Sequence, residues 1–134
     1  MVQVKTTMST VVLSINAGSS SLKTTLYVHG SEQRLKSLAK AEISNINQRS
    51  TQLKYTSDIR KDKKDVNNIQ DHKAAFEHVL DAFLSDGSVK EVKSKDDIHY
   101  ACHRVVQGGD FREDELITRE TFKKIEALED LAPL

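Results

Sequence analysis

The first apolar positions of the chain form a short run of β-type residues, which small polar residues interrupt before it resumes. Val11, Val12, Leu13 and Ile15 precede the interruption, and Thr-Thr-Leu-Tyr-Val at 24–28 follows it. Because β-branched and aromatic residues favour strands, the pattern over Val11–Val28 predicts two strands joined by a tight turn.

In the next three segments the alternation of apolar and polar residues is weaker than in the first hairpin. Alternation over Leu35–Ile46 predicts a third strand that ends at Asn45–Gln48, and Leu53 with Tyr55 predicts an edge strand. Asp58–Asp71 interleaves basic and acidic residues, which predicts a solvated loop.

A helix is predicted from Asp71, which can accept hydrogen bonds from the first turn, to a stop at Gly87. Its apolar residues recur at spacings of three and four and form one stripe: Ala75, Phe76, Val79, Leu80, Phe83 and Leu84. His72 and His78 flank this stripe and are expected to be surface residues.

The last part of the chain predicts one more strand and one more helix. Alternation over Ile98–His103 indicates a strand packed on both sides, with Cys102 as a small core residue. Thr118 is expected to cap a final helix that Pro133 ends.

The turn inside the first hairpin has the composition of an anion site. Gly18 can take positive φ and let backbone N–H groups converge, and Ser19–Ser21 add hydroxyl donors. Lys23 adds a mobile ammonium suited to a terminal phosphate, and the Asn16 carbonyl oxygen can hold a hydrated Mg²⁺. An ordinary hairpin would also use Gly and Ser, so this reading from the loop alone stays open.

Composition excludes several classes of function. Twenty basic and twenty acidic residues give a formal net charge of zero, so neither nucleic acid nor a membrane is an expected partner. The single cysteine, Cys102, fits a reducing compartment. With no bilayer-length apolar run and no signal-peptide pattern, we expect a cytoplasmic protein.

Two motifs resemble one family. Ile15–Lys23 reads Ile-Asn-Ala-Gly-Ser-Ser-Ser-Leu-Lys, similar to the N-terminal signature of the acetate kinases, members of the sugar kinase, Hsp70 and actin superfamily. Residues 103–111, His-Arg-Val-Val-Gln-Gly-Gly-Asp-Phe, look like the family's His-Arg-Val-Val-His-Gly-Gly-Glu-x-Phe element. Ile125-Glu126 and Leu131–Leu134 resemble the segment that follows, so the likeness covers Val11–Leu134.

This resemblance implies an α/β fold, the ribonuclease-H-like half-domain of actin-like ATPases, with a mixed β-sheet and flanking helices. The half-domain is expected to be incomplete in this chain. Residues 1–10 are then a tail, and residues 11–134 are the N-terminal domain fragment of a longer enzyme. The family's catalytic residues lie beyond the position of Leu134. We therefore expect no catalytic residue and no turnover in this fragment, and a homodimeric full-length enzyme.

The resemblance also implies roles for single residues. Asn16 matches the residue associated with Mg²⁺, Lys23 matches a lysine assigned to ATP, and Ser19 and Ser21 match serines of the phosphate loop beside Gly18. The implied reaction is reversible phosphoryl transfer between ATP and acetate, giving ADP and acetyl phosphate.

On the substrate side, Arg104 matches an arginine that contacts acetate or acetyl phosphate. From the residues alone, a surface arginine paired with Asp110 or Glu113 is the alternative. Gln107 replaces the histidine of the family pattern, and because Gln cannot titrate, a proton-linked role at that position is in doubt.

Two other functions remain open. A propionate or butyrate kinase of the same superfamily would also use Arg104 to bind a carboxylate. A non-catalytic domain that binds phosphate or a partner protein would use the same loop.

Overall fold

The computed structural model describes residues 9–30 and 34–104. The chain divides into two units, Met1–His103 and Arg104–Leu134, and every element described here belongs to the first. Most of the predicted tail, the Gln107–Gly109 segment and the predicted last helix lie outside the described residues.

Within the described residues, a mixed sheet has the order β5-β4-β3-β2-β1-β6. Its strands are β1 Thr10–Ala17, β2 Leu22–His29, β3 Leu35–Ser44, β4 Gln52–Ser57, β5 Lys61–Asp65 and β6 Tyr100–His103. Neighbouring strands are antiparallel except β1 and β6, which run parallel. The predicted hairpin and the predicted mixed sheet are confirmed.

The helix α1, His72–Ser85, packs against β2 and β3. Its predicted start is confirmed, because the Asp71 side chain accepts a hydrogen bond of 2.7 Å from the Ala74 backbone N–H. The helix ends where it was predicted to, just before Gly87, but a left-handed glycine does not end it. The C-cap residue is Asp86 in an extended conformation, and Gly87 is not in the left-handed region.

The core lies between α1 and one face of the sheet. Alternate residues of the strands point to the helix, as the two-residue period of a strand requires. The largest fully buried side chains are Tyr55, Phe83, Leu13, Leu26, Ile43, Leu53, Val11 and Val79. The Tyr55 and Phe83 rings, 5.8 Å apart between centroids, join the sheet to the helix.

Two expectations for the β4 side of the sheet are wrong. Part of the predicted loop, Lys61–Asp65, forms β5, and β5 rather than β4 is the edge strand on that side. A charged edge strand needs only backbone pairing on one side, so it carries no alternation of apolar residues. Arg60, just before β5, pairs with Asp62 at 2.7 Å and covers the Tyr55 ring at 4.7 Å.

The prediction of a strand packed on both sides is also wrong. All four residues of β6 are exposed, including Tyr100 and Cys102. Among the described strands β6 pairs with β1 alone and forms one edge of the described sheet. Its apolar content therefore does not reflect burial within this part of the chain.

Candidate functional site

The β1–β2 hairpin places two of the predicted site residues side by side. In its antiparallel register Asn16 pairs with Lys23, and both side chains are exposed. Directly paired residues of neighbouring strands point to the same face of the sheet. Their neighbours Ile15 and Leu22 face the core, so Asn16 and Lys23 lie on the outer face, opposite α1.

The turn between these strands, the β1–β2 loop, is Gly18–Ser21. It is closed by a hydrogen bond of 2.9 Å that the Gly18 N–H donates to the Ser21 carbonyl. The expectation of positive φ at Gly18 is wrong, since its φ lies outside the left-handed region. Glycine instead relieves crowding, because a Cβ here would lie 2.7 Å from Ser21 Oγ.

Carbonyl oxygens of the β1–β2 loop are tied to the rest of the fold. The Ser20 oxygen accepts from the Ile46 N–H at 2.9 Å, in the turn that follows β3. The Gly18 oxygen lies 2.7 Å from Nε2 of His72, the first residue of α1. Because a carbonyl can only accept, His72 Nε2 carries a proton and donates it.

The amide groups of the loop are in the opposite situation. Within residues 9–30 and 34–104, the N–H groups of Ser19, Ser20 and Ser21 have no acceptor, and neither do their hydroxyl groups. Backbone and hydroxyl donors that the protein leaves unused are what an anion needs. The arrangement therefore favours binding of a phosphate group.

A charged row crosses the outer face next to the loop. Lys23 pairs with Glu42, and Glu42 pairs with Lys54, so one carboxylate lies between two ammonium groups. They line an open groove of about 500 Å³ over β2, β3 and β4. In the part of the chain that the structure describes, Lys23 has no carboxylate within 4.0 Å and can turn toward an anion.

The parallel pair of β1 and β6 brings a second segment to the loop end of the sheet. Ile15 pairs with His103, so β1 and β6 end at the same edge. Arg104 follows β6 directly in the chain and is exposed. Its predicted role as a substrate contact stays a prediction.

A second polar cluster lies at the C-terminal end of α1. The Tyr55 hydroxyl donates to Asp86 Oδ2 at 2.8 Å, and Ser88 donates to Asp86 Oδ1 from its backbone and from its hydroxyl. Burial alone would raise the pKa of Asp86, but hydrogen bonds from Ser57, Ser88 and Tyr55 outweigh it and lower the pKa to about 2. Burial and the Asp86 charge raise the pKa of Tyr55.

Sequence reasoning missed His72, which was expected on the helix surface. His72 and Gly18 are 54 positions apart, so no local pattern connects them.

Among the described side chains, no group of three His, Cys, Asp or Glu residues is placed to hold a metal. None of the described helices is long and apolar enough to cross a membrane.

Comparison with known proteins identifies the family to which this chain belongs. The model of the acetokinase family matches residues 11–134. The chain belongs to the acetokinase family. It is 42% identical over 134 residues to a probable acetate kinase of Neurospora crassa, covering 95% of this chain and 28% of the relative.

Other relatives agree with that assignment. An acetate kinase of Staphylococcus saprophyticus is 40% identical over 95% of this chain and 30% of its own length. The crystal structure of the Porphyromonas gingivalis acetate kinase aligns with a TM-score of 0.77 and 31% identity over 93% of this chain and 31% of that one.

A propionate kinase of Francisella tularensis aligns with a TM-score of 0.72 and 29% identity, over 93% of this chain and 30% of that one. The expected fold is confirmed by these structures. The chain spans less than a third of the length of these relatives.

Proposed function

We propose that this chain is part of an Mg²⁺-dependent enzyme that transfers a phosphoryl group between ATP and acetate, giving ADP and acetyl phosphate. The observation that carries the proposal is the β1–β2 loop beside Lys23. Its Gly18 and Ser20 carbonyls are tied to the fold, while the amides of Ser19–Ser21 have no acceptor among the described residues. Phosphoryl transfer depends chiefly on positioning and on neutralising the charge of the phosphoryl group.

The phosphates of ATP are assigned to the β1–β2 loop. In this proposal Gly18 allows the close approach, the amides and hydroxyls of Ser19 and Ser21 bind phosphate oxygens, and Lys23 neutralises a terminal phosphate. The exposed Lys23 and its cross-strand position next to the loop support this assignment.

The Mg²⁺ ion is assigned to Asn16. Mg²⁺ keeps several waters and is bound through few protein oxygens plus the phosphates of the nucleotide. An exposed carbonyl oxygen opposite Lys23 fits that mode, whereas an all-protein cage would need carboxylates that the described residues do not bring together. When bound, the ion would neutralise charge on the phosphate oxygens.

Arg104 is assigned to the carboxylate or phosphoryl group of the second substrate. Its planar guanidinium can donate two parallel hydrogen bonds to a carboxylate. Its place directly after β6, which ends beside β1, supports this assignment. The proposal includes a cytoplasmic, homodimeric full-length enzyme, with this fragment inactive alone because its catalytic groups lie elsewhere.

A propionate kinase is the second candidate, because the Francisella tularensis structure aligns nearly as well as the acetate kinase structure. The test compares turnover of acetate, propionate and butyrate by the full-length gene product with ATP and Mg²⁺. The highest kcat/KM for acetate is expected. A preference for propionate or butyrate would favour the second candidate, and no phosphorylation of any of the three acids would favour a binding domain.

A further inference from the structure

The contact between α1 and the β1–β2 loop suggests a role that the family assignment does not give. His72 Nε2 lies 2.7 Å from the Gly18 carbonyl oxygen and is half-buried. The helix that carries His72 is itself fixed by the buried side chains Ala75, Val79 and Phe83 on the core side. The histidine therefore acts from a rigid support.

Peptide geometry links this contact to the amides of the loop. In a trans peptide the carbonyl and the N–H of one unit point in opposite directions, and the described residues contain no cis peptide. The Gly18 oxygen points to His72, so the Ser19 N–H points away from the helix. The Ser20 oxygen points to the Ile46 N–H, so the Ser21 N–H likewise points away from its anchor.

We propose that His72 is a positioning residue for nucleotide binding, because its hydrogen bond to Gly18 fixes the peptide unit whose other end, the Ser19 N–H, binds a phosphate oxygen of ATP. This inference rests on the proposed function of the β1–β2 loop. His72 does not touch the phosphate; it removes the rotational freedom of one peptide plane that binding would otherwise have to remove.

The histidine at the other side of α1 offers a matched control. His78 is also half-buried on α1, but no hydrogen bond from its ring is found in the described part of the chain. Replacing it changes the same residue type on the same helix without touching the loop. His72→Leu and His78→Leu therefore separate the contact with Gly18 from a general effect on the helix.

The experiment measures ATP affinity by calorimetry and steady-state kinetics, using the full-length gene product. We expect His72→Leu to raise both the Kd and the KM for ATP about fivefold, the effect of one net hydrogen bond, with kcat changed less than about twofold. His72→Gln, whose amide nitrogen reaches about as far as Nε2, should restore the affinity, and His78→Leu should leave it unchanged.

Two results would overturn the role of His72. One is an unchanged Kd in His72→Leu, or a change equal to that in His78→Leu. The other is a loss of kcat alone, because a purely structural role lowers the amount of folded enzyme and leaves the KM unaltered. If His72→Leu does not fold, His72→Asn serves instead, since its shorter amide keeps a polar group that does not reach Gly18.

The design also separates this inference from the proposed function. If none of the acids is phosphorylated but the Kd for ATP follows the order above, the role of His72 holds and the proposed reaction fails. If the wild-type protein does not bind ATP at all, both fail.

Discussion

The two ends of α1 meet polar groups in different ways. At its start, His72 donates to the Gly18 oxygen of a loop in which the N–H groups of Ser19–Ser21 have no acceptor among the described residues. At its end, the carboxylate of Asp86 accepts hydrogen bonds from Tyr55 and Ser88 and is only 3% exposed. One cluster leaves donors available to a ligand, while the other uses its donors within the protein.

This difference separates binding from stability. A buried, fully paired group stabilises the fold because its removal leaves a partner unsatisfied. A donor held in place but left without a protein partner contributes little to stability and is available to an anion. We therefore expect substitutions at the β1–β2 loop to change affinity and turnover, and substitutions around Asp86 to change the free energy of unfolding.

The largest expected effect is at Lys23. Lys23→Met in the full-length gene product should lower kcat/KM about 100-fold. The variant lacks the ammonium group that neutralises the negative charge of the phosphoryl group during transfer. The melting temperature should change little, since Lys23 is exposed. Steady-state kinetics and thermal unfolding check the two parts.

Lys54 gives the matched control for Lys23. Both lysines are exposed and both pair with Glu42, but Lys54 lies on β4, two strands from the loop. Lys54→Met should keep kcat/KM within about twofold. An equal loss in the two variants would show that the outer face acts only through its overall charge.

The next effect is on stability. Asp86→Ala should lower the free energy of unfolding by about 3 kcal/mol, because the buried Tyr55 hydroxyl loses its acceptor. Asp81→Ala, at an exposed position of α1, should change it by less than about 0.5 kcal/mol. Urea unfolding measures both changes. If Asp86→Ala changed the ATP affinity as much as a β1–β2 loop variant does, the separation of binding from stability would be contradicted.

The same variant predicts a pH dependence. The pKa of Asp86 is about 2 in the folded state, against 3.8 for the unfolded reference, so the unfolded chain binds the proton more readily. The contribution of about 2 kcal/mol is present above pH 3.8 and is lost as the pH falls toward 2. The difference in the free energy of unfolding between wild type and Asp86→Ala should narrow as the pH falls over that range. A constant difference would show that the lowered pKa of Asp86 does not contribute this stability.

The smallest effect is expected at Gly18. In Gly18→Ala the new Cβ would lie 2.7 Å from Ser21 Oγ, so the hydroxyl must rotate away from its present position. We expect the KM for ATP to rise about threefold, the effect of one strained rotamer. Gly87→Ala meets no atom within 4 Å and should leave the KM unchanged.

Local patterns predicted the hairpin and the helix because their signals are short-range. The run before Asn16 and the β-branched residues after Lys23 define the two strands, and Asp71 with its apolar stripe defines α1. The sequence also assigned Asn16 and Lys23 to one anion site. The hairpin register places them side by side, and their roles stay predictions.

Features that depend on distant partners were not predictable in this way. β5 contains only charged residues and forms because β4 offers it a pairing edge. The Tyr55–Asp86 bond joins residues 31 positions apart, as the His72–Gly18 bond joins residues 54 apart. Such contacts arise from the packing of α1 on the sheet, and the sequence carries no periodic signal for them.

The most direct test of the contrast between the two clusters uses the serines themselves. The full-length gene product with ¹⁵N-labelled serine is titrated with ATP and Mg²⁺, and the amide signals are followed by NMR. We predict large shifts for Ser19 and Ser21, whose amides have no acceptor within residues 9–30 and 34–104, and none for Ser88, whose amide already donates to Asp86. Unchanged signals from the loop serines, or equal shifts at Ser88, would contradict a phosphate site at the β1–β2 loop.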